Sequence, residues 1–128
     1  MQINIPKLFQ NERYLDTLYE VFTEDRKLYY GNFYTFRRDL RRVLEETKYQ
    51  DVQPDVFMLA GSVYYDMHYG DVFQFDVCLV HPKYRNNRAV LRAFSKAKKA
   101  MVLQSGVTKY FNIKHLNSTT RLVQVKEY

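Results

Sequence analysis

The densest chemistry in the chain lies between Arg85 and Lys99. Arg85, Arg88, Arg92, Lys96, Lys98 and Lys99 crowd that stretch with no acid among them. Guanidinium and ammonium groups at that density suit an anionic partner: a phosphorylated cofactor, a nucleic acid or an acidic protein surface. The plainer reading is a solvated basic face. Arg37, Arg38, Arg41 and Arg42 form a second group that can extend the first. Tyr84 can stack on a base, although the pattern matches no specific reader of nucleic acid. His68, His81 and His115 have no metal-ligand spacing, so no metal is expected. Cys78 is the sole cysteine, which excludes an internal disulfide and a cysteine zinc site. It has no neighbour suggesting a catalytic triad and reads as a small buried hydrophobe. His81 reads as a loop histidine without a chemical role.

The charge is unevenly placed. Residues 1–76 hold 9 basic and 13 acidic residues, a net −4, and residues 77–128 hold 11 basic residues and only Glu127, a net +10. The whole chain of 128 residues carries +6. Its length suits one domain with its own core. A hydrophobic fraction of 46% excludes a disordered tail, and 4 Gly with 3 Pro exclude collagen-like and flexible low-complexity chains. No apolar run is long enough to span a membrane. The start, MQINIPKLFQNERY, lacks a signal peptide's apolar run, and a virion or host-cytoplasm location is expected.

These groups must be positioned by regular elements. Residues 2–6 suggest a short edge strand, limited by Pro6. Leu15, Leu18, Tyr19 and Phe22 recur at helical spacing behind a capping Asn11. Phe36, Leu40, Val43 and Leu44 mark a second helix over 34–48. Three strand-like runs follow, at 56–60, 62–69 and 72–80, with breaks at Gly61 and Gly70-Asp71, and read as an antiparallel meander. Alternation in the third puts Phe73, Phe75, Val77 and Leu79 on one face and Val72, Gln74, Asp76, Cys78 and Val80 on the other. His81-Pro82 ends it. Val90, Phe94, Ala97 and Met101 give a long helix over 89–103, stopped at Ser105-Gly106. A strand over 107–113 follows, then a last short helix through Val125 capped by Asn117 or Ser118. The fold class is α/β (α+β), in one domain, with a mixed sheet.

Val80-His81-Pro82-Lys83-Tyr84-Arg85, between the strongest strand and the basic helix, resembles the acetyl-CoA-dependent N-acetyltransferase (GNAT) superfamily. That family has a valine-x-proline-x-x-arginine stretch here, matched by Val80, Pro82 and Arg85. The resemblance implies that the following turn and helix start hold the cofactor pyrophosphate on backbone N–H groups, as a helix N-terminus suits an anion. It assigns acetyl-CoA contacts to Val80, Arg85, Asn87, Arg88, Ala89 and Asn117. It places Asp76 as a base for the acceptor amine, and Asp66 and His68 are secondary candidates; the family's acid tyrosine falls where Leu122 and Val123 stand here, which leaves Tyr110 or Tyr128 as a source of a phenol. Two departures accompany the match. The family's small phosphate-loop positions are Arg88 and Val90 here, and its final strand is expected to be missing.

Three classes follow. The first is a GNAT-like structural or assembly protein, weakly catalytic or non-catalytic, resembling small proteins of tailed bacteriophages and working in a virion as an oligomer or with other chains. The second is an N-acetyltransferase acting on an amine. The third is a nucleic-acid-binding protein using Arg85, Arg88, Arg92, Lys96 and Lys99, with salt-sensitive DNA affinity.

Overall fold

The computed structural model describes residues 4–128. The order is α1 (Ile5–Leu8), α2 (Glu12–Glu24), α3 (Phe33–Glu46), β1 (Tyr49–Gln53), β2 (Phe57–Asp66), β3 (Gly70–Val80), α4 (Arg88–Gln104), β4 (Lys109–His115) and β5 (Arg121–Glu127). One mixed sheet runs β1-β2-β3-β4-β5; only the β3–β4 pair is parallel. This is the expected α/β class. Helix α4 is the crossover that a parallel pair requires.

Asparagines start the helices. Asn11, Asn32 and Asn87 accept from the backbone N–H groups of Tyr14, Thr35 and Val90 at 3.2, 3.0 and 3.1 Å. Each satisfies a donor that no carbonyl within its own helix can reach. Helix α2 buries Tyr14, Leu18, Val21 and Phe22, and α3 buries Phe36, Leu40 and Leu44. Both pack on one sheet face with Met58, Ala60 and Val77. Helix α4 buries Phe94, Met101 and Val102 on the other face, with Phe57, Leu59, Phe73 and Tyr110.

Several expectations change. The strand expected over 2–6 begins outside the described residues, and from Ile5 the chain is helical, with Asn4 as cap. The break at Gly61 is not a turn: β2 passes through it unbroken. A side chain at Gly61 would run into the Gln74 carbonyl and the Phe73 ring, so the residue is small because the strands press together there. Gly70 does serve a turn, at φ +76°. Strand β1, Tyr49–Gln53, lies between the expected second helix and first strand, where no element was expected. The last helix is absent: 121–127 form β5, antiparallel to β4. Asn117 Oδ1 accepts from Thr119 N at 2.9 Å and closes the turn of that hairpin instead of capping a helix. The sheet therefore ends on a strand where the sequence suggested a helix and a missing strand.

Strand β3 also departs from simple alternation. Ala60 pairs with Val77, but Gly61 pairs with Phe75, so Asp76 is an extra residue with no partner on β2. This is a β-bulge, and it reverses the side-chain phase. Phe73 and Phe75 pack with α4, whereas Val77 and Leu79 pack with α2 and α3. The sequence placed all four on one face.

Candidate functional site

The bulge lies beside an opening in the sheet. Strands β3 and β4 are paired only at Phe73–Tyr110 and Gln74–Phe111. Beyond those pairs, residues 75–80 and 112–115 diverge without a ladder. A cleft of roughly 890 Å3 fills the divergence, within the range of small-molecule and cofactor sites. Its central strand supplies Asp76, Cys78 and Val80, and β4 supplies Phe111 and Ile113. Tyr29 and Tyr30 close one end, and Phe94 and Lys98 of α4 line another wall.

Main-chain groups of β3 face this gap. His81 N donates to the Val56 carbonyl at 2.7 Å, so at this residue the backbone points toward β2. In an antiparallel pair that direction alternates. Leu79 and Val77 therefore bond β2, while Cys78 and Val80 turn their N–H and C=O groups the other way. The Val80 carbonyl accepts there from Arg85 Nε at 2.9 Å.

Arg85 is held by more than that carbonyl. Its two terminal nitrogens bind Asp25 Oδ1 and Oδ2 at 2.8 and 2.6 Å, a fork that joins the end of β3 to the end of α2. The bond to Asp25 raises the already high pKa of Arg85. The guanidinium is thus a strut at the cleft wall, with most of its donors spent. Arg88 forms no ion pair among the described residues and is exposed. Arg88 and Ala89 open α4, where backbone N–H groups have no carbonyl of their own helix to meet, while Asn87 caps Val90.

Asp76 projects from the bulge and lines the cleft. Tyr64 Oη donates to its Oδ2 at 3.3 Å, and Gln74 Nε2 donates to its Oδ1 at 3.1 Å. Desolvation first, then the Asp76 charge, pushes the Tyr64 phenol up, so it remains a donor to the carboxylate. Asp66 and His68 lie apart, at the β2–β3 tip. Asp66 accepts from His68 N and Tyr69 N at 2.8 and 3.1 Å, which commits it to the turn. Asn117 lies in the β4–β5 turn and does not line the main cleft.

Two groups line the cleft that the sequence did not assign to it. Cys78 is exposed to the cleft, correcting the expectation of a buried hydrophobe. The surrounding walls still raise its thiol pKa, with the Lys98 charge acting the other way. Lys98 Nζ sits 5.2, 5.9 and 6.0 Å from the ring centres of Phe75, Phe94 and Tyr110. That aromatic seat holds an ammonium at the cleft wall. Tyr128 stacks on Tyr110 with centroids 4.5 Å apart, and desolvation first, then Tyr110, pushes its phenol well up. No sequence signal pairs Lys98 with rings on three elements.

His81 is buried, with Nδ1 accepting from Lys83 N at 3.3 Å. Its Nε2 lies 3.0 Å from Glu20 Oε2, close enough for an ion pair but off the line of a hydrogen bond. It faces α2 and not the cleft. Two of the four arginines of α3 are engaged nearby: Arg38 meets Asp39 and Arg41 meets Glu45, at 3.1 and 2.9 Å. They sit across the sheet from α4 and do not extend its basic face. Among the described residues no group of His, Cys, Asp and Glu is arranged to hold a metal, and no helix is long and apolar enough to cross a membrane. In comparisons with known proteins, no family model matches the chain, and no curated protein or solved structure is significantly similar to it.

Proposed function

We propose that this protein binds acetyl-CoA in the β3–β4 cleft and transfers the acetyl group to an amine. The observation that carries the reading is the divergence of the parallel pair after Gln74 and Phe111. It opens a cavity of cofactor size beside a strand edge and a helix start. The residues present fit such a ligand: the outward main chain of Cys78 and Val80 suits the amides of a pantetheine arm. The first amides of α4 and the exposed, unpaired Arg88 suit its phosphates. In this reading Arg88 takes the place of the glycine through which the acetyltransferase pattern it resembles brings backbone close to phosphate.

Bound acetyl-CoA supplies the acetyl group as a thioester. The chain's own contribution is to orient and to move protons. The Asp76 carboxylate, held by Tyr64 and Gln74, accepts the proton released by the attacking amine at Oδ1 or Oδ2. The bulge sets that carboxylate at the mouth of the gap. The Tyr128 phenol, pushed up by burial and Tyr110, lies outside the cleft lining, so the proton that Asp76 takes from the amine is the one returned to the thiolate released when the C–S bond breaks.

Titration calorimetry with acetyl-CoA tests the binding step. Saturable heat is expected, weakened by R88E. D76N keeps the affinity and loses acetyl transfer to a primary amine. Absence of heat at millimolar cofactor overturns the reading. A second reading, a non-catalytic assembly protein such as a virion component, is favoured by the β2–β3 tip, where Tyr64, Tyr65, Met67 and Tyr69 are all exposed. It expects no cofactor heat, and a loss of assembly when Tyr65 and Met67 become serine.

A further inference from the structure

Strand β5 ends the sheet, and its residue pattern is complementary to itself. Tyr128 N donates to the Thr108 carbonyl at 2.9 Å, and Leu116 N donates to the Thr120 carbonyl at 3.0 Å. Main-chain direction alternates along an antiparallel strand. Residues 122, 124 and 126 therefore bond β4, and Arg121, Val123, Val125 and Glu127 turn their N–H and C=O groups to the open edge. Their side chains also share one face of the sheet, opposite α4: Tyr110 packs with α4 and lies across from Lys126, so the odd positions lie on the other side. That face holds Phe111 and Ile113, the cross-strand partners of Val125 and Val123.

We propose that a second copy of this chain pairs with the β5 edge about a two-fold axis through Gln124. In that register Arg121 falls opposite Glu127 of the other copy, and Val123 falls opposite Val125. All four outward-turned residues are then used. Each end gains an opposite-charge pair and the centre gains apolar pairs, all on one face. A register shifted by two residues leaves Glu127 beyond Val125 with no arginine facing it. The charge pattern, read forward on one strand and backward on the other, therefore selects both the occupant and the alignment. Val123 is 45% exposed and Leu122 44%, and an unpaired edge of this length is ordinarily protected. The paired strands would also join the Phe111–Ile113 strips of the two copies. Arg121, Phe111 and Ile113 also line the cleft, but the register is argued from the β5 pattern alone and does not rest on the cofactor reading; the Q124C and L122C cross-linking pair, which places no new cysteine in the cleft, decides it separately.

Gln124 turns its main chain inward, so it meets its own copy as a non-hydrogen-bonded pair, with Cα atoms about 4.5 Å apart. That separation admits a disulfide. The test uses the chain with C78S. Q124C is expected to form a covalent dimer under mild oxidation, and L122C, which faces Lys126 of the other copy, is not. In sedimentation at tens of micromolar the unaltered chain is expected to run as a dimer. R121E, which sets like charges opposite each other at both ends, weakens it at least about tenfold. V123P, which removes one outward N–H, gives a folded monomer by circular dichroism. A monomeric unaltered chain, or equal cross-linking of Q124C and L122C, overturns the proposal. If V123P fails to fold, the cross-linking pair still decides it.

Discussion

Replacing Gly61 with alanine is the sharpest test of the sheet geometry. A methyl group there would overlap the Gln74 carbonyl oxygen and approach Phe73 Cε1 to 2.6 Å. Phe73 is fully buried, and Gln74 belongs to one of only two β3–β4 pairs. Neither can yield without moving β3. Overpacking of a tight site costs about 1–3 kcal/mol. Because a backbone atom is the obstacle, G61A should lie in the upper part, about 2–3 kcal/mol. For a domain of this size that lowers Tm by about 6–12 °C. Gly70 supplies the contrast. Its added methyl meets nothing within 4 Å, but its φ of +76° strains any other residue, by about 1 kcal/mol. Thermal melts of both variants, followed by far-ultraviolet circular dichroism, rank them. If G70A loses as much stability as G61A, or G61A melts within a degree of the parent, the close approach of β2 and β3 is not as described.

D25N removes the charge that Arg85 grips. Arg85 remains 35% exposed at the side chain, so solvent screening reduces the loss to about 1–2 kcal/mol in a urea melt. The double variant D25N/R85Q should cost less than the sum of the single changes. N87A removes the cap of α4 and costs about 1 kcal/mol, whereas N87D retains most of the stability. Burial, and then the Asp25 charge, push the Tyr29 phenol up to about 12. The folded state thus favours the protonated phenol. Its contribution is complete below the unfolded pKa near 10 and is lost as pH rises toward 12, so unfolding midpoints should fall across that window. Ultraviolet titration of Y29F against the parent isolates the group.

Much of the fold was legible because buried faces leave a period. Phe36, Leu40 and Leu44 recur every four residues, and Asn11 announces the cap of α2, whereas the cap that Asn87 gives α4 was read only as a cofactor contact. Strand β1 was not legible: among Tyr-Gln-Asp-Val-Gln only Val52 is buried, so an edge strand looked like a loop. Strand β5 was misread for two reasons. It is exposed on both faces, so neither periodicity is enforced. Asn117 also makes the same kind of side-chain-to-backbone bond in a hairpin turn as at a helix start. The phase change in β3 was invisible because Asp76 extends the alternation by one residue, and only the partner strand shows that it is extra. Of the candidate site, Asp76, Val80 and Arg85 do line the cleft. Cys78 and Lys98 do so as well, but their meeting depends on the β3–α4 packing, which no local pattern encodes.

The charge division gains a physical meaning from the cleft. The boundary between the net −4 and net +10 parts of the chain falls at the bulge residue itself. Asp25, Asp39 and Asp76 come to the cleft from the first part, and Arg85, Lys98 and Arg121 come from the second. The cleft is therefore a seam between two electrostatic surfaces, and the Arg85–Asp25 fork is a direct bond across it. A ligand with a single sign of charge would find half of that seam unfavourable. A reaction that joins an anionic donor to a cationic amine would find both halves useful: basic groups near the start of α4, and carboxylates beside the incoming amine. On that reasoning salt should weaken cofactor affinity. R88E should remove most of that dependence, while D76N should leave it intact. Equal salt slopes for R88E and the unaltered chain would separate the charge division from ligand binding altogether.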